Sequence, residues 1–165
     1  MRRTLVVLAL FGAAWALAAA PTAALPGDGA AIAKASILDN DPEDAVAVTK
    51  VCTRCHGSAL FLNAPRSSGR WEQTYAQMAK NGARGSIPEL NRVVHFMQKN
   101  LTVVNVNTSP PDELAPTLQA SDDAINTILA RRAARRFTSV ADLATIRGVD
   151  RSVLEKLKAR RLLLF

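Results

Sequence analysis

The chain has 165 residues, room for one domain or two small ones. With 21 lysines and arginines against 14 aspartates and glutamates, its formal charge is +7, a balance that suits acidic proteins, anionic lipid or nucleic acid and selects none of them. Two cysteines and two histidines, with His95 far from the rest, do not make a four-ligand structural zinc site, and no Ser-His-Asp set, carboxylate pair or phosphate-binding glycine loop is visible.

In chain order, Met1, Arg2 and Arg3 are a positive start, Leu5 to Leu17 an apolar run, and Ala18 to Ala24 a stretch of small residues. This is the layout of a secretory signal peptide over residues 1–24, with cleavage expected after Ala24 because Pro21 disfavours a cut after Ala20. The apolar run is short for the ~20 residues of a bilayer crossing, so cleavage is preferred to a retained anchor. The exported chain would keep a formal charge of +5 after losing Arg2 and Arg3, and would have no later membrane span. Residues 25–40 are small and rich in glycine and alanine, with no helix-start signal before Asp39, and read as a linker or weakly ordered lead-in.

Beyond residue 40 the signals are helical, with almost none for strands, so the expected fold class is all-α. The first helix should begin at Asp41, a capping residue followed by Pro42, Glu43 and Asp44, all suited to a first turn. It should carry Val48, Val51, Cys52 and Cys55 at helical spacing, which would set both thiols on one face, with Gly57 letting the chain leave. A loop containing Pro65, Ser67, Ser68 and Gly69 follows. A second helix is predicted from about Arg70 to Lys80, stopping at Asn81-Gly82, with Trp71, Tyr75 and Met78 on one side. A third should start near Pro88 and end by Asn100, with Leu90, Val93, Val94, Met97 and Leu101 as its apolar stripe.

A polar, turn-rich boundary at Asn105, Asn107, Thr108, Ser109, Pro110 and Pro111 separates residues 41–101 from 102–165. Four short helices are predicted beyond it, opened by Ser109-Pro110, Ser121-Asp122-Asp123, Thr138 or Ser139, and Asp150, which makes two helix–loop–helix pairs.

The chemistry sits in Cys52-Thr53-Arg54-Cys55-His56, the attachment pattern of c-type haem. Two thiols three apart can each add to one porphyrin vinyl, and the next imidazole can reach the iron. One covalently bound haem c is therefore the expected cofactor, with Cys52 and Cys55 as its anchors and His56 as the proximal iron ligand. A Cys-X-X-Cys disulfide is the competing reading, but no strand–helix alternation surrounds the motif. The sixth ligand has three candidates. Met78 leads, since it shares a side with Trp71 and Tyr75 and a haem has few groups to choose from. Met97 lies in a clean apolar stripe and is explained by core filling. His95, flanked by Arg92 and Lys99, reads as solvated and would give a lower potential than a methionine. Trp71 and Tyr75 read as walls of a haem pocket rather than as electron relays. Arg131, Arg132, Arg135 and Arg136 form a basic cluster on one predicted helix, which could be a solvated face, a docking site for a protein partner or, least favoured, a DNA contact.

Residues 44 to 101 resemble small class I-like c-type cytochromes. The matching pieces are the haem motif, the stretch Arg70-Trp71-Glu72-Gln73-Thr74-Tyr75-Ala76-Gln77-Met78, then Asn81-Gly82-Ala83, then Glu89 to Asn100. That resemblance implies the methionine of the tryptophan-containing helix, Met78, as distal ligand, and subunits or partners of periplasmic dehydrogenases as the setting. Residues 103 to 165 resemble the helix-hairpin-helix domain of competence-type DNA receptors, through Val104-Asn105-Val106-Asn107-Thr108-Ser109, Glu113-Leu114, Phe137 to Leu143 and Ile146-Arg147-Gly148-Val149-Asp150. In such receptors, glycines bracket each hairpin so that bare backbone meets phosphate. Here the first hairpin, around Thr117 to Ser121, has no glycine, and Asp150 stands where a second glycine is expected after Gly148, so the resemblance implies the fold more than DNA binding.

The expectation is thus a small cytochrome c domain followed by a tandem helix-hairpin-helix domain. It would be a periplasmic monohaem electron carrier rather than an enzyme, taking an electron from a dehydrogenase and passing it to a carrier or oxidase. Peroxidase-like or gas-binding chemistry would require an open sixth position. The alternative is an envelope DNA-binding protein with a structural or redox-sensing haem.

Overall fold

A computed structural model describes residues 25–38 and 41–165. The signal peptide expected over 1–24 and the start signal at Asp39 lie outside the described residues. What is described is mostly helical, with nine helices and one pair of two-residue strands among the described residues. No helix among them is long and apolar enough to cross a membrane.

The first finding corrects the expected linker. Residues Asp28–Lys34 form helix α1, which packs against α2 (Pro42–Cys52). Its Ile32 is fully buried in a core with Ala45, Ala47 and Val48. One buried isoleucine is worth about 1.5–3 kcal/mol, one part of what offsets the entropy of ordering this short helix.

α2 begins as the sequence predicts, with Asp41 at the cap, Pro42 at the first position, and Glu43 and Asp44 in the first turn. It ends earlier than expected, at Cys52. The backbone N–H of Thr53 bonds Thr49 O at 3.3 Å and its hydroxyl donates to the same carbonyl at 2.5 Å, closing the helix. Cys55 therefore lies in the turn beyond α2, not on its face. A one-turn helix, α3 (Ala59–Leu62), follows, then α4 (Ser68–Lys80) and α5 (Ile87–Leu101). The chain leaves α4 through Gly82 at φ 94°, a left-handed position that favours glycine. α5 opens on a capping box in which Ser86 Oγ accepts the Glu89 N–H and Glu89 accepts the Ser86 N–H. α2 and α5 form the main helix pair of this half. Its core holds Phe61, Trp71, Val93, Phe96, Met97 and Leu101. The predicted stripe of α5 is corrected in part: Leu90 stays 41% exposed, Val94 is half-buried, and Phe96 is buried instead.

Past Leu101 a second core assembles. The strand β1 (Val104–Asn105) is followed by α6 (Pro111–Leu118), α7 (Asp122–Ala134), α8 (Val140–Leu143) and α9 (Arg151–Ala159), and the strand β2 (Leu163–Leu164) closes the chain. The predicted starts hold: Ser121 Oγ accepts Ala124 N–H at 3.4 Å, Ser139 Oγ accepts Asp142 N–H at 3.1 Å, and Asp150 Oδ1 accepts Ser152 N–H at 2.7 Å. β1 and β2 run parallel, Val104 opposite Leu163, and tie the two ends of this half together. Leu114, Leu118, Ile128, Phe137, Leu143 and Leu157 are among its buried side chains.

The halves are joined at named points. Thr117 Oγ1 donates to Gln98 O at 3.0 Å, and the side chain of Ile37, which precedes α2, enters the second core.

Candidate functional site

The motif follows from how α2 ends. Cys52, in its last turn, is half-buried, and burial pushes its thiol up to about 11. Cys55, in the turn, is exposed, and both cysteines are free. His56 is half-buried, with Nδ1 3.2 Å from Gly57 O. A carbonyl at that distance favours the tautomer with the proton on Nδ1, which leaves the lone pair of Nε2 available to a metal. The ring meets Phe61 edge-on, 6.2 Å between centroids. The next residue but one, Ser58, is buried and donates its N–H to Asp28 Oδ1 at 2.8 Å.

α4 supplies the other side chains. Trp71 is buried and its Nε1–H donates to Leu101 O at 3.2 Å, so its polar edge is spent inside the protein. Its ring stacks on Tyr75, 6.1 Å between centroids and 18° between planes, and Arg66 lies over it at 4.8 Å. The Tyr75 hydroxyl is buried with no hydrogen-bond partner. Burial first, then the nearby charges of Cys52 and Glu72, push its pKa well above the usual phenol range. Met78 lies half-buried one turn further along α4.

Of the other two sixth-ligand candidates, Met97 shares the first core with Trp71, Cys52 and Tyr75, whereas His95 lies apart from them. Met97 is 2% exposed and belongs to the first core. His95 Nδ1 lies 2.6 Å from Asp44 Oδ2, and Asp44 sits eight residues before Cys52 on α2. At 1.5 Å per residue that is about 12 Å along the helix, so His95 is held at the far end from the motif. It is exposed, as expected, and belongs there to a charge network. Asp41, Asp44 and His95 offer donor atoms within 4.8 Å of one another, but Arg92 lies 3.6 Å from both carboxylates and pairs with Glu43 as well. The guanidinium already supplies the positive charge a cation would bring.

The basic cluster is not one helical face. Only Arg131 and Arg132 lie in α7; Arg135 caps its end and Arg136 lies beyond it. Arg131 pairs with Asp142 and lies over the Phe137 ring at 4.8 Å. Arg135 reaches the same carboxylate at 3.1 Å. Arg132 donates to Val106 O at 3.0 Å and Ser109 O at 2.7 Å. In the second hairpin Gly148 has φ 85°, but the Asp150 carboxylate occupies the N-terminus of α9.

Sequence reasoning missed Asp28, Ser58 and Phe61. Asp28 stands between Gly27 and Gly29 in a stretch of small residues, where nothing marks it as a helix start with a distant partner. Comparison with family models, curated proteins and solved structures returns no match for this chain.

Proposed function

We propose that this chain is a periplasmic monohaem c-type cytochrome that transfers single electrons from a periplasmic dehydrogenase to a downstream carrier or oxidase. The observation that carries this reading is the Cys52-Thr53-Arg54-Cys55-His56 sequence, with two free thiols and a histidine whose Nδ1 faces a carbonyl. The surrounding residues fit a haem on a second count. Tyr75 presents a buried hydroxyl without a partner within electrostatic reach of Cys52, and a buried donor left unmade costs about 1–3 kcal/mol. A group that brings an acceptor to that position would remove the penalty.

When bound, haem supplies a one-electron iron couple. The protein's part is to hold and tune it. Cys52 and Cys55 would tether the ring, His56 would take the fifth position through Nε2, and Met78 the sixth. Trp71 and Phe61, buried in the first core, would supply apolar surroundings that lower the local dielectric and so move the potential. A methionine held in that position would favour electron transfer over substrate turnover.

The DNA-binding alternative draws less support. Arg131, Arg132 and Arg135 are engaged within the protein, and the Asp150 carboxylate stands where a phosphate would approach α9.

The test is full-length protein matured with haem-attachment machinery, analysed by pyridine haemochrome and redox titration. The expected result is one covalent haem per chain with a reversible one-electron couple. A colourless protein with Cys52 and Cys55 bridged to each other overturns the proposal.

A further inference from the structure

Asp28 is a carboxylate in an unusual place. It is 7% exposed, and charged groups are seldom buried without partners. Both of its oxygens are used. Oδ1 accepts the Ser58 N–H at 2.8 Å, across 30 residues, and Oδ2 accepts the Leu25 N–H at 3.0 Å. These bonds hold its pKa below the ordinary carboxylate range, the contacts with Ser58 contributing most. Ser58 is two residues after His56. The intervening Gly57 is covered by Leu25, whose Cδ1 would lie 3.0 Å from a Cβ placed there. The chain leaving His56 is therefore gripped by the start of α1.

The other end of α1 is gripped by the second half of the protein. Arg160, in the turn after α9, donates to Ala35 O at 2.5 Å, and Lys156 on α9 donates to Ile37 O at 3.0 Å. Ile37 also buries its side chain in the second core. A run of contacts thus leads from α9 through residues 35–37 and α1 to Asp28, and from Asp28 to the residue beside the histidine loop.

We propose that Asp28 is a positioning residue for His56, and that the C-terminal helical module is a clamp that holds Asp28 against the Gly57–Ser58 loop. This gives the fused module a task inside the haem half that needs no nucleic acid. The statement about iron rests on the haem reading; the statement about the clamp does not. A carboxylate near the imidazole favours the more positive, oxidised iron, so its loss should raise the potential.

The experiment uses the full-length, haem-matured chain and two readouts, hydrogen exchange of the Ser58 amide and the midpoint potential. Asp28→Ala should speed Ser58 exchange about tenfold or more, the loss of one charge-assisted bond, and raise the potential. Asp28→Asn keeps an acceptor and the shape but not the charge. It should recover part of the Ser58 protection while leaving the potential raised, and it gives the reading if the alanine variant does not fold. Lys156→Ala combined with Arg160→Ala should also speed Ser58 exchange, at a site neither residue touches. Unchanged Ser58 protection in both Asp28 variants overturns the positioning role, as does an unchanged potential in both. Unchanged protection in the double variant overturns the clamp. A wild-type protein without covalent haem removes the haem reading alone, because the exchange measurements still decide the clamp.

Discussion

The side-chain carbonyl of Asn100, at the end of α5, accepts the backbone N–H of Ile37 at 2.7 Å, across 63 residues and out of reach of solvent. Its amide donates to Phe96 O at 3.0 Å. Asn100 thus fixes the segment between α1 and α2 where the two cores meet. Asn100→Ala leaves the Ile37 N–H buried and unmet, a loss of about 1–3 kcal/mol. Urea unfolding should show a lowered midpoint, and a midpoint equal to wild type would mean that water satisfies this amide.

The two methionines of the first half separate by environment, and, on the proposed haem reading, variants should separate them by effect. Met78 is half-buried on the face of α4 that carries Tyr75, whereas Met97 is core. Met78→Ala should abolish the weak methionine–iron absorption band of the oxidised protein and lower the potential, with modest loss of stability. Met97→Ala should keep the band and lose about 2–5 kcal/mol. The reverse pattern would hand the sixth position to Met97.

The parts of this fold that could be read in advance are those decided locally. Ser121, Ser139 and Asp150 open helices by accepting a first-turn N–H, Asp41-Pro42 opens α2 through its position and proline without a side-chain cap bond, and such signals lie within one turn of sequence. The parts that could not be read depend on distant partners. α1 is ordered by burial of Ile32 against α2 and by Asp28 meeting Ser58, and neither leaves a periodic trace in a run of small residues. The β1–β2 pair joins two-residue strands from opposite ends of the second half, too short for alternation to appear. The candidate site divides in the same way. The proposed haem-attachment residues Cys52, Cys55 and His56 stand out because that chemistry demands adjacency, but helical spacing alone continues through Cys55, whereas α2 ends at Cys52 and Cys55 lies in the turn beyond it.

The arginines around α7 are expected to act through structure and not through nucleic acid. Arg132 satisfies two carbonyls of the loop before α6, so Arg132→Ala should lower stability by about 1–3 kcal/mol. Arg136 is exposed past the end of the helix, and Arg136→Ala should change stability by no more than about 0.5 kcal/mol. A gel-shift titration at low salt should show no duplex DNA binding. Binding that weakens steeply with salt and vanishes when all four arginines become alanine would reverse this assignment.

Glu89 links the stability of α5 to pH. Its carboxylate is held down to about 2, first by Lys50, then by the backbone and side chain of Ser86. The folded state therefore binds the proton of this group less readily than the unfolded chain, whose value is near 4.5. Its contribution is complete above 4.5, falls as the pH drops below that value, and is gone once the pH has passed through about 2. Since Lys50 is exposed and Glu89 partly so, the effect should shrink with added salt as far as it depends on Lys50, and persist as far as it depends on the capping box. Thermal unfolding of the full chain across this window should show a steeper loss of Tm in wild type than in Glu89→Gln, with the two curves converging toward the acid end. Parallel curves from pH 6 to pH 2 would show that Glu89 is bound no more tightly in the folded protein than in the unfolded chain.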